Sequence, residues 1–179
     1  MAAVISTERL ELVPLPPDLL RLIDSGDIAA VARELGAVIP NGWAEAVPAR
    51  LRLAQLAADP SEQPWLVRAV VLRKAREVVG SVGFHEPPDV HGRVEIGYDV
   101  VAGRRRRGYA REAIVGLAAW AFTTGRARVC VASVSPGNAP SLALVHSLGF
   151  RQVGEQIDEI DGLELVFECP LPLLWHRPP

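Results

Sequence analysis

The sequence predicts a single-domain α+β fold in which a mixed, mostly antiparallel sheet is flanked by helices. A length of 179 residues fits one domain, and 49% hydrophobic with 22% charged residues is typical of a globular chain with a sizeable core. The predicted elements run as a strand, helices, three strands, a long helix, a strand, a helix and two final strands. This order lacks the regular alternation of a doubly wound fold, which favours the α+β class.

The N-terminal half is predicted to hold one strand, three helices and a hairpin. Apolar residues alternate weakly over Leu10–Leu15 and prolines follow them, which indicates a strand. Asp18 is expected to cap a short helix that runs through Ile23. Apolar periodicity and turn residues place the other elements: helices over 28–35 and 49–58 around a loop over 36–48, then antiparallel strands over 65–72 and 78–84.

The C-terminal half is predicted to contain a long helix between two strands. A strand over Arg93–Val101 is followed by a charged loop and a helix over Gly108–Thr123, whose apolar residues recur at helical spacing. Gly149 is expected to end a later helix in the left-handed conformation. The remaining elements are a strand over 128–133, that later helix over 138–148, and strands over 150–155 and 163–169 around an acidic loop. We expect the domain to span residues 1–169, with a Pro-rich tail over 170–179.

Composition argues against several functional classes. A net charge of −2 lacks the basic excess of a dedicated nucleic-acid binder. The N-terminus shows no basic segment followed by a long apolar one, and the longest apolar stretch, 113–122, is about half of a membrane span. Cys130 and Cys169 stand in apolar runs without metal-ligand spacing, so we expect two buried thiols. These observations predict a cytoplasmic protein with no metal, no nucleic-acid partner and no membrane partner.

The loop before the long helix carries the strongest chemical signal. It reads Arg105-Arg106-Arg107-Gly108-Tyr109-Ala110, and Gly108 allows a ligand to approach the backbone closely. The start of a helix offers unpaired N–H groups and the positive end of its dipole, which bind phosphate, and the arginines add positive charge. A solvated turn with a simple strand-to-helix hinge at Gly108 is the alternative for this loop.

The same residues carry a resemblance to a known superfamily. The R-x-x-G-x-A pattern of Arg105–Ala110, after a strand and at the start of a helix, resembles the acetyl-CoA pyrophosphate loop of the GNAT N-acetyltransferases. Further segments resemble, in order, the ribosomal-protein N-terminal acetyltransferase (RimJ/RimL-like) branch: Thr7–Leu12, Glu95–Tyr98, Gly108–Ala113, Asn138–Ser141 and Leu148–Phe150. The resemblance spans about Thr7 to Glu168. It implies the GNAT fold, with a seven-stranded sheet that splays between its fourth and fifth strands.

The resemblance also implies acetyl-CoA as co-substrate and a set of residues that bind it. Val100 and Val101, at the end of the fourth strand, would present backbone groups to the pantetheine arm, and a free N–H there would stabilise negative charge on the acetyl oxygen. Asn138 would hydrogen-bond the pantetheine, although its place after Pro136-Gly137 suits a helix N-cap equally well. The pyrophosphate would be held by backbone N–H groups and arginine side chains of the loop: Arg105, Arg106, Arg107, Gly108, Tyr109 and Ala110.

Two residues would carry the chemistry. An attacking alkyl ammonium must first lose a proton, and Glu95 matches the fourth-strand carboxylate that acts as base in the superfamily. Ser141 would lie near the CoA sulfur, where it binds the cofactor and gives a proton or hydrogen bond to the leaving thiolate. A cross-strand charge at Glu95 and an exposed first-turn serine at Ser141 are the structural alternatives. For Glu112, inside the long helix, we expect a structural partner in Arg111 or the N-terminus.

Together these residues and the resemblance predict an acetyl-CoA-dependent N-acetyltransferase that moves the acetyl group to a primary amine by direct attack. The acceptor would be a protein N-terminus or a small-molecule amine. An acidic segment over 155–164 either attracts a cationic acceptor or forms a solvated hairpin loop. A non-catalytic acyl-CoA-binding module on the same fold is the alternative, against which Glu95, Asn138 and Ser141 argue. The sequence leaves a homodimer open.

Overall fold

The strands belong to one mixed sheet in a computed structural model, which describes residues 2–158 and 162–173. They are β1 (Ile5–Ser6), β2 (Leu10–Pro14), β3 (Arg68–Leu72), β4 (Glu77–Phe84), β5 (Arg93–Val100), β6 (Val129–Val134), β7 (Arg151–Asp158) and β8 (Gly162–Pro170). Their order is β1-β2-β3-β4-β5-β6-β8-β7, and β5 with β6 is a parallel pair. The α+β class is confirmed. The described sheet has eight strands rather than the predicted seven, because the two residues of β1 pair with β2.

The five predicted helices are all present in the described residues, with two differences: the start of the first helix, and a sixth, short helix. In the described residues they are α1 (Pro17–Ser25), α2 (Ile28–Leu35), α3 (Trp43–Ala46), α4 (Ala49–Ala58), α5 (Tyr109–Thr123) and α6 (Ala139–Ser147). The predicted cap at Asp18 is wrong, because α1 begins at Pro17, whose fixed φ suits the first helical position. Asp18 lies in the first turn, where its carboxylate accepts a hydrogen bond from Arg21 at 2.5 Å. The predicted loop over 36–48 contains the short helix α3.

The chain divides into two compact units, and the first holds the described residues up to Pro87 together with Gly97–Leu117. In this unit β1, β2, β3 and β4 pair antiparallel in chain order. The N–H of Val101, just after β5, donates to the carbonyl O of Val79 in β4 at 3.0 Å. The C-terminal end of β5 is therefore fixed to β4 within the first unit.

Gly80 in β4 is a point of close backbone approach. A Cβ atom at this position would lie 2.1 Å from the carbonyl O of Asp99 in β5, so only glycine lets the two strands pass this closely. The carbonyl O of Gly80 accepts a hydrogen bond from Trp43 Nε1 at 2.9 Å. Trp43 is 1% exposed and packs in an apolar core with Leu20 and Val31. These contacts hold the end of β5, where the arginine-rich loop begins.

The second unit holds Pro88–Ile96 and the described residues from Ala118 onward. Here the first half of β5 pairs with β6, and the described register ends with Glu95 opposite Val131, although β5 continues to Val100. Strand β6 pairs antiparallel with β8, and β8 pairs antiparallel with β7. The short register between β5 and β6 agrees with the splay that the resemblance implies between these strands.

The C-terminal hairpin is longer than predicted. Strand β7 continues to Asp158 and β8 begins at Gly162, so the predicted acidic loop over 156–162 is mostly strand. Residues 159–161 lie outside the described residues. Strand β8 ends at Pro170, and of the predicted Pro-rich tail the part from residue 174 to residue 179 also lies outside them.

Both cysteines are buried and free, which confirms the two predicted thiols. Cys130 in β6 and Cys169 in β8 are register partners. Burial raises the pKa of the Cys130 thiol, and the nearby Cys169 and Glu95 raise it further. The thiol of Cys130 therefore stays protonated at neutral pH and is a poor nucleophile.

Candidate active site

The loop between β5 and α5 contains two residues in the left-handed conformation. A 3-10 turn over Ala102–Arg104 follows β5, and α5 begins at Tyr109, one residue after the predicted start. Arg106 has a φ of 58° and Gly108 a φ of 80°. The left-handed conformation costs roughly 1–2 kcal/mol for a residue other than glycine, so contacts elsewhere in the loop must hold Arg106 in it.

Two of the four consecutive arginines bind other parts of the protein. Arg104 donates from Nε and Nη2 to the two carboxylate oxygens of Glu77, at 2.8 and 2.5 Å. Arg105 donates from Nε to the carbonyl O of Val100 at 2.7 Å, and its Nη2 lies 3.5 Å from Asp99 Oδ1. These contacts fix the first half of the loop to β4 and to the end of β5.

The other two arginines extend into solvent. Arg106 and Arg107 are exposed, and their guanidinium groups make no hydrogen bond or ion pair with any residue that the structure describes. They stand directly before the N-terminus of α5, where the helix dipole is positive and the first N–H groups lack intrahelical acceptors. This part of the loop can therefore accept an anion without breaking an existing ion pair.

The two valines at the end of β5 already use one backbone group each. The N–H of Val101 donates to Val79 O at 3.0 Å, and the carbonyl O of Val100 accepts from Arg105. A carbonyl oxygen has two lone pairs, so Val100 O can accept a second hydrogen bond, whereas the N–H of Val101 has no further proton to donate. Val101 is therefore not a free N–H donor in this structure.

Glu112 has the structural role that was expected of it. Its Oε1 accepts hydrogen bonds from Thr7 Oγ1 at 2.6 Å and from the Arg9 N–H at 2.7 Å, and its Oε2 accepts from Arg9 Nε at 2.7 Å. Burial opposes the charged carboxylate, but these hydrogen bonds and the charge of Arg9 together hold the pKa of Glu112 below its usual value. The partners come from the N-terminal segment.

Asn138 and Ser141 are joined at the start of α6. Asn138 is the N-cap residue, and its Oδ1 accepts a hydrogen bond from the Ser141 N–H at 3.2 Å. The N-cap interpretation of Asn138 is confirmed, and its Nδ2 group keeps both protons for other acceptors. Asn138 is exposed and Ser141 half-buried. Gly149, after this helix, has a φ of 85°, which confirms the predicted left-handed stop.

Glu95 lies at the last described register position between β5 and β6. Its partner across the strands is Val131, and its side chain is half-buried. Its negative charge contributes to the raised pKa of Cys130, so the carboxylate lies close enough to this thiol to influence it. Glu95, Asn138 and Ser141 belong to the second unit, whereas Val100, Val101 and the arginine loop belong to the first.

The acidic residues near the C-terminus are part of the β7–β8 hairpin. Glu155 is exposed on β7, and Glu164 on β8 accepts a hydrogen bond from Gln156 Nε2 at 3.0 Å. The same Nε2 group donates to Ser133 Oγ in β6 at 3.1 Å. Glu159 and Asp161, which the sequence also placed in this segment, lie outside the described residues.

The sequence did not indicate that Arg9 contacts the loop before α5. Arg9 donates from Nη1 to the carbonyl O of Arg107 at 3.0 Å, and its guanidinium lies 4.8 Å from the centre of the Tyr109 ring. The motif Thr7-Glu8-Arg9 carried part of the resemblance, but no role followed from it because its partners are about a hundred residues away in the chain.

Two classes of feature are absent from the described residues. Among residues 2–158 and 162–173, no group of three or more histidine, cysteine, aspartate or glutamate side chains is arranged to hold a metal ion. Within those ranges no helix has both the length and the apolar character needed to span a membrane.

The sequence matches a known family and its relatives. A family model described as an acetyltransferase (GNAT) domain matches residues 9–151. The uncharacterized N-acetyltransferase p20 from Bacillus licheniformis is 35% identical over 86 residues, which cover 48% of this chain and 48% of that protein. The uncharacterized N-acetyltransferase YjdG from Bacillus subtilis is 29% identical over 153 residues, which cover 82% of this chain and 89% of that protein. The chain therefore spans about half the length of p20 and about nine tenths of YjdG.

Solved structures share the fold. The acetyltransferase from Salmonella typhimurium that modifies the N-terminal serine of 50S ribosomal subunit protein L7/L12 has a TM-score of 0.65 at 12% identity, covering 94% of this chain and 99% of that chain. The microcin C7 self-immunity acetyltransferase MccE, in complex with acetyl-CoA and AMP, has a TM-score of 0.63 at 18% identity, covering 92% and 94%. At such identities the likeness shows the fold alone. Because the family model matches most of the chain, the chain belongs to the family of acetyltransferase (GNAT) domains.

Proposed function

We propose that the chain transfers the acetyl group of acetyl-CoA to a primary amine, on a protein N-terminus or a small molecule, by direct attack of the amine. The observation that carries this proposal is the loop before α5, in which Arg106 and Arg107 leave two guanidinium groups without a partner among the described residues. We place the chain in the RimJ/RimL-like branch, and we include a protein N-terminus among the acceptors because the acetyltransferase from Salmonella typhimurium, which shares the fold, modifies an N-terminal serine.

The loop suits the pyrophosphate of CoA in both charge and backbone geometry. Gly108, with a φ of 80° and no side chain, lets phosphate oxygens approach the backbone at the start of α5. We assign the pyrophosphate to the backbone of Arg105–Ala110 and to the side chains of Arg106 and Arg107. Arg105 contributes its backbone, because its Nε is already bound to Val100.

The pantetheine arm would be held by groups that remain available after the internal hydrogen bonds are counted. The carbonyl O of Val100 can accept a second hydrogen bond, from a pantetheine amide N–H. Asn138 uses Oδ1 for its cap, so Nδ2 is the group that would donate to a pantetheine carbonyl. We assign Val101 a supporting role, since its N–H is bound to Val79.

Two side chains would move protons. An alkyl ammonium has a pKa of about 10.4 and an α-ammonium one of about 8, so either must lose a proton before its nitrogen can attack. We assign that proton to the carboxylate of Glu95, directly or through a water molecule. Ser141 would donate a proton or a hydrogen bond to the thiolate as it leaves. Acetyl-CoA supplies the acetyl group as a thioester.

Direct attack is favoured over a cysteine-bound acetyl intermediate. Both thiols are buried, and burial is the main cause that raises the pKa of Cys130 and of Cys169. A nucleophilic cysteine needs the opposite environment, with a pKa lowered by a histidine, a cation or a helix N-terminus. Free buried thiols also suit the reducing conditions of the cytoplasm, which we propose as the location. A homodimer is compatible with this proposal.

The test of this proposal is thiol release from acetyl-CoA in the presence of a divided amine panel. One half holds peptides with free Ser, Ala or Met N-termini, and the other holds aminoglycosides, polyamines and amino-acid analogues. Product mass should increase by one acetyl group, which separates transfer from thioester hydrolysis. Turnover with peptides alone supports a protein N-terminal acetyltransferase, and turnover with small amines alone supports modification of a metabolite.

A binding measurement with CoA and acetyl-CoA completes the test. Tight binding without transfer to any amine would contradict the enzyme proposal and favour a non-catalytic acyl-CoA-binding module. If the protein neither binds CoA nor transfers an acetyl group, the assignment of the arginine loop to CoA is contradicted.

A further inference from the structure

Arg9 is an exposed arginine with an unusually complete set of partners. Its side chain is 44% exposed, yet its Nε donates to Glu112 Oε2 at 2.7 Å and its Nη1 donates to the carbonyl O of Arg107 at 3.0 Å. Its guanidinium also lies 4.8 Å from the centre of the Tyr109 ring, a distance at which a cation and an aromatic ring attract each other. An exposed arginine loses side-chain entropy when it is fixed, so three simultaneous contacts indicate a definite position.

The contacts of Arg9 fall on the residues that join the loop to the helix. Arg107 lies between Arg106 and Gly108, both of which have a left-handed backbone. A Cβ atom at Gly108 would lie 3.3 Å from Arg9 Nη2, so the guanidinium rests directly against this glycine. Arg9 therefore holds the peptide segment in which the backbone takes its least favourable conformation.

Glu112 places a negative charge in the first turn of α5, near the end that would receive phosphate groups. An unpaired carboxylate at that position would repel an anionic ligand. The guanidinium of Arg9 offsets this charge through the hydrogen bond from its Nε. Two further hydrogen bonds, from the Arg9 N–H and the Thr7 hydroxyl, hold the carboxylate in place. The pair thus keeps Glu112 as a structural anchor while leaving the helix start attractive to an anion.

We propose that Arg9 and Glu112 are positioning residues that preset the Arg105–Ala110 loop for the phosphate groups of CoA. The proposal rests on the proposed function, because it assumes that this loop binds the pyrophosphate. Neither residue needs to touch the cofactor. Arg9 fixes the Arg107 carbonyl and Glu112 fixes Arg9, so that loop N–H groups face the ligand before it arrives and the loop loses less conformational entropy on binding.

The experiment compares two variants with a matched control. Glu112→Gln keeps an acceptor oxygen for Thr7 but loses the charge that binds Arg9, and Arg9→Lys keeps the charge but loses the planar fork that reaches two partners. Arg73→Gln is the control, because Arg73 binds the same N-terminal segment through different atoms: its Nη1 donates to Thr7 O and Glu8 O. Melting temperatures identify any variant that does not fold.

Steady-state kinetics are measured with two donors, acetyl-CoA and S-acetyl-pantetheine, which lacks the pyrophosphate. With acetyl-CoA, both variants should show a KM for the donor raised about fivefold to tenfold, with kcat within about twofold of wild type. With S-acetyl-pantetheine, the variants, the control and wild type should agree within about twofold. Binding of CoA by calorimetry should weaken by the same factor as the KM for acetyl-CoA.

Three outcomes would overturn the proposal. The first is an unchanged KM for acetyl-CoA in folded Arg9→Lys and Glu112→Gln. The second is an equal loss with both donors, and the third is an equal loss in Arg73→Gln. Failure of the proposed function has a different signature, since wild type itself would then neither bind CoA nor turn over acetyl-CoA.

Discussion

Arg104 and Glu77 form a two-bonded ion pair, with Nε–Oε1 and Nη2–Oε2 distances of 2.8 and 2.5 Å. The hydrogen bonds and the charge of Glu77 raise the pKa of Arg104, which remains a cation at any pH at which the protein is studied. The first arginine of the run is therefore part of the fold, whereas Arg106 and Arg107 have no such partner among the described residues. Four adjacent residues of one type thus have two different roles.

This division predicts different effects for two sets of substitutions. Replacing Arg106 and Arg107 together by glutamine should raise the KM for acetyl-CoA about tenfold or more, because charge-assisted hydrogen bonds to phosphate contribute roughly 1.5–3 kcal/mol each. Arg104→Gln should leave that KM within about twofold and lower stability only slightly, as expected for a partly exposed ion pair. Donor titrations at two salt concentrations check both. Equal effects on KM from the two sets would contradict the division.

Glu95→Gln should lower kcat by about 100-fold or more near neutral pH, the usual contribution of a general base. The deficit should shrink as the pH rises above the pKa of the acceptor amine, since the amine then loses its proton without help. Rate profiles from pH 6 to about pH 10, with a saturating acceptor whose reactive group is an α-amine of pKa about 8, measure this. Asp99→Asn, on the same strand, serves as the neighbouring carboxylate control. A constant deficit across the profile would remove Glu95 from the role of base.

Ser141→Ala should reduce kcat by about tenfold while leaving the N-cap of α6 intact. The cap uses the backbone N–H of residue 141, which alanine retains, so stability should change by less than about 0.5 kcal/mol. The loss should be smaller with an acetyl donor whose thiol is more acidic, because a better leaving group needs less hydrogen bonding. If kcat is unchanged with both donors when the chemical step limits turnover, Ser141 has no part in thiolate departure.

The sequence predicted best those helices and strands whose apolar spacing and end residues lie within or beside the element itself. Helices α2 and α4 match the prediction at both ends, because apolar spacing and the stops at Gly36 and Pro60 are local features. The two-residue strand β1 is too short to show alternation, and α3 lies in a segment rich in Gly, Pro and Asn that indicates a loop. The N-cap at Asn138 could also be predicted from local sequence, because the N–H that it caps belongs to Ser141, only three residues away.

Contacts between distant segments could not be predicted in this way. Arg9 and Glu112 are 103 positions apart. A structural role for Glu112 was expected, but no residue beside either of them in the sequence identifies Arg9 as the partner. The same holds for the hydrogen bond between Val101 and Val79, which occupies one of the backbone N–H groups that the resemblance made available to the pantetheine arm and the acetyl oxygen. Periodicity places residues on a face of a helix or strand, but which segment covers that face depends on the tertiary fold.

Gly80→Ala should be strongly destabilising. The added Cβ atom would lie 2.1 Å from the carbonyl O of Asp99, and both clashing groups are backbone or fixed to it, so the strands must separate. We expect a loss of about 3 kcal/mol or more in the free energy of unfolding, at or above the upper end for overpacking. Gly103→Ala is the control, since its added Cβ meets nothing within 4 Å. Urea unfolding of both variants checks this, and equal midpoints would contradict the close approach.

Glu112→Gln should destabilise the protein in a pH-dependent way. The pKa of Glu112 is held below its ordinary value of 4.5 in the folded protein, so its carboxylate adds stability that is fully present above about pH 4.5 and is lost as the pH falls through the folded pKa. The difference in the free energy of unfolding between wild type and Glu112→Gln should therefore be roughly 1–3 kcal/mol at pH 7 and shrink toward zero in acid. Arg73→Gln gives the comparison, because Arg73 bonds to backbone carbonyls that do not titrate in this range. Urea unfolding at pH 7, 5, 4 and about pH 3 measures both differences, and a Glu112→Gln difference as constant as that of Arg73→Gln would show that the carboxylate of Glu112 is not stabilised by its partners.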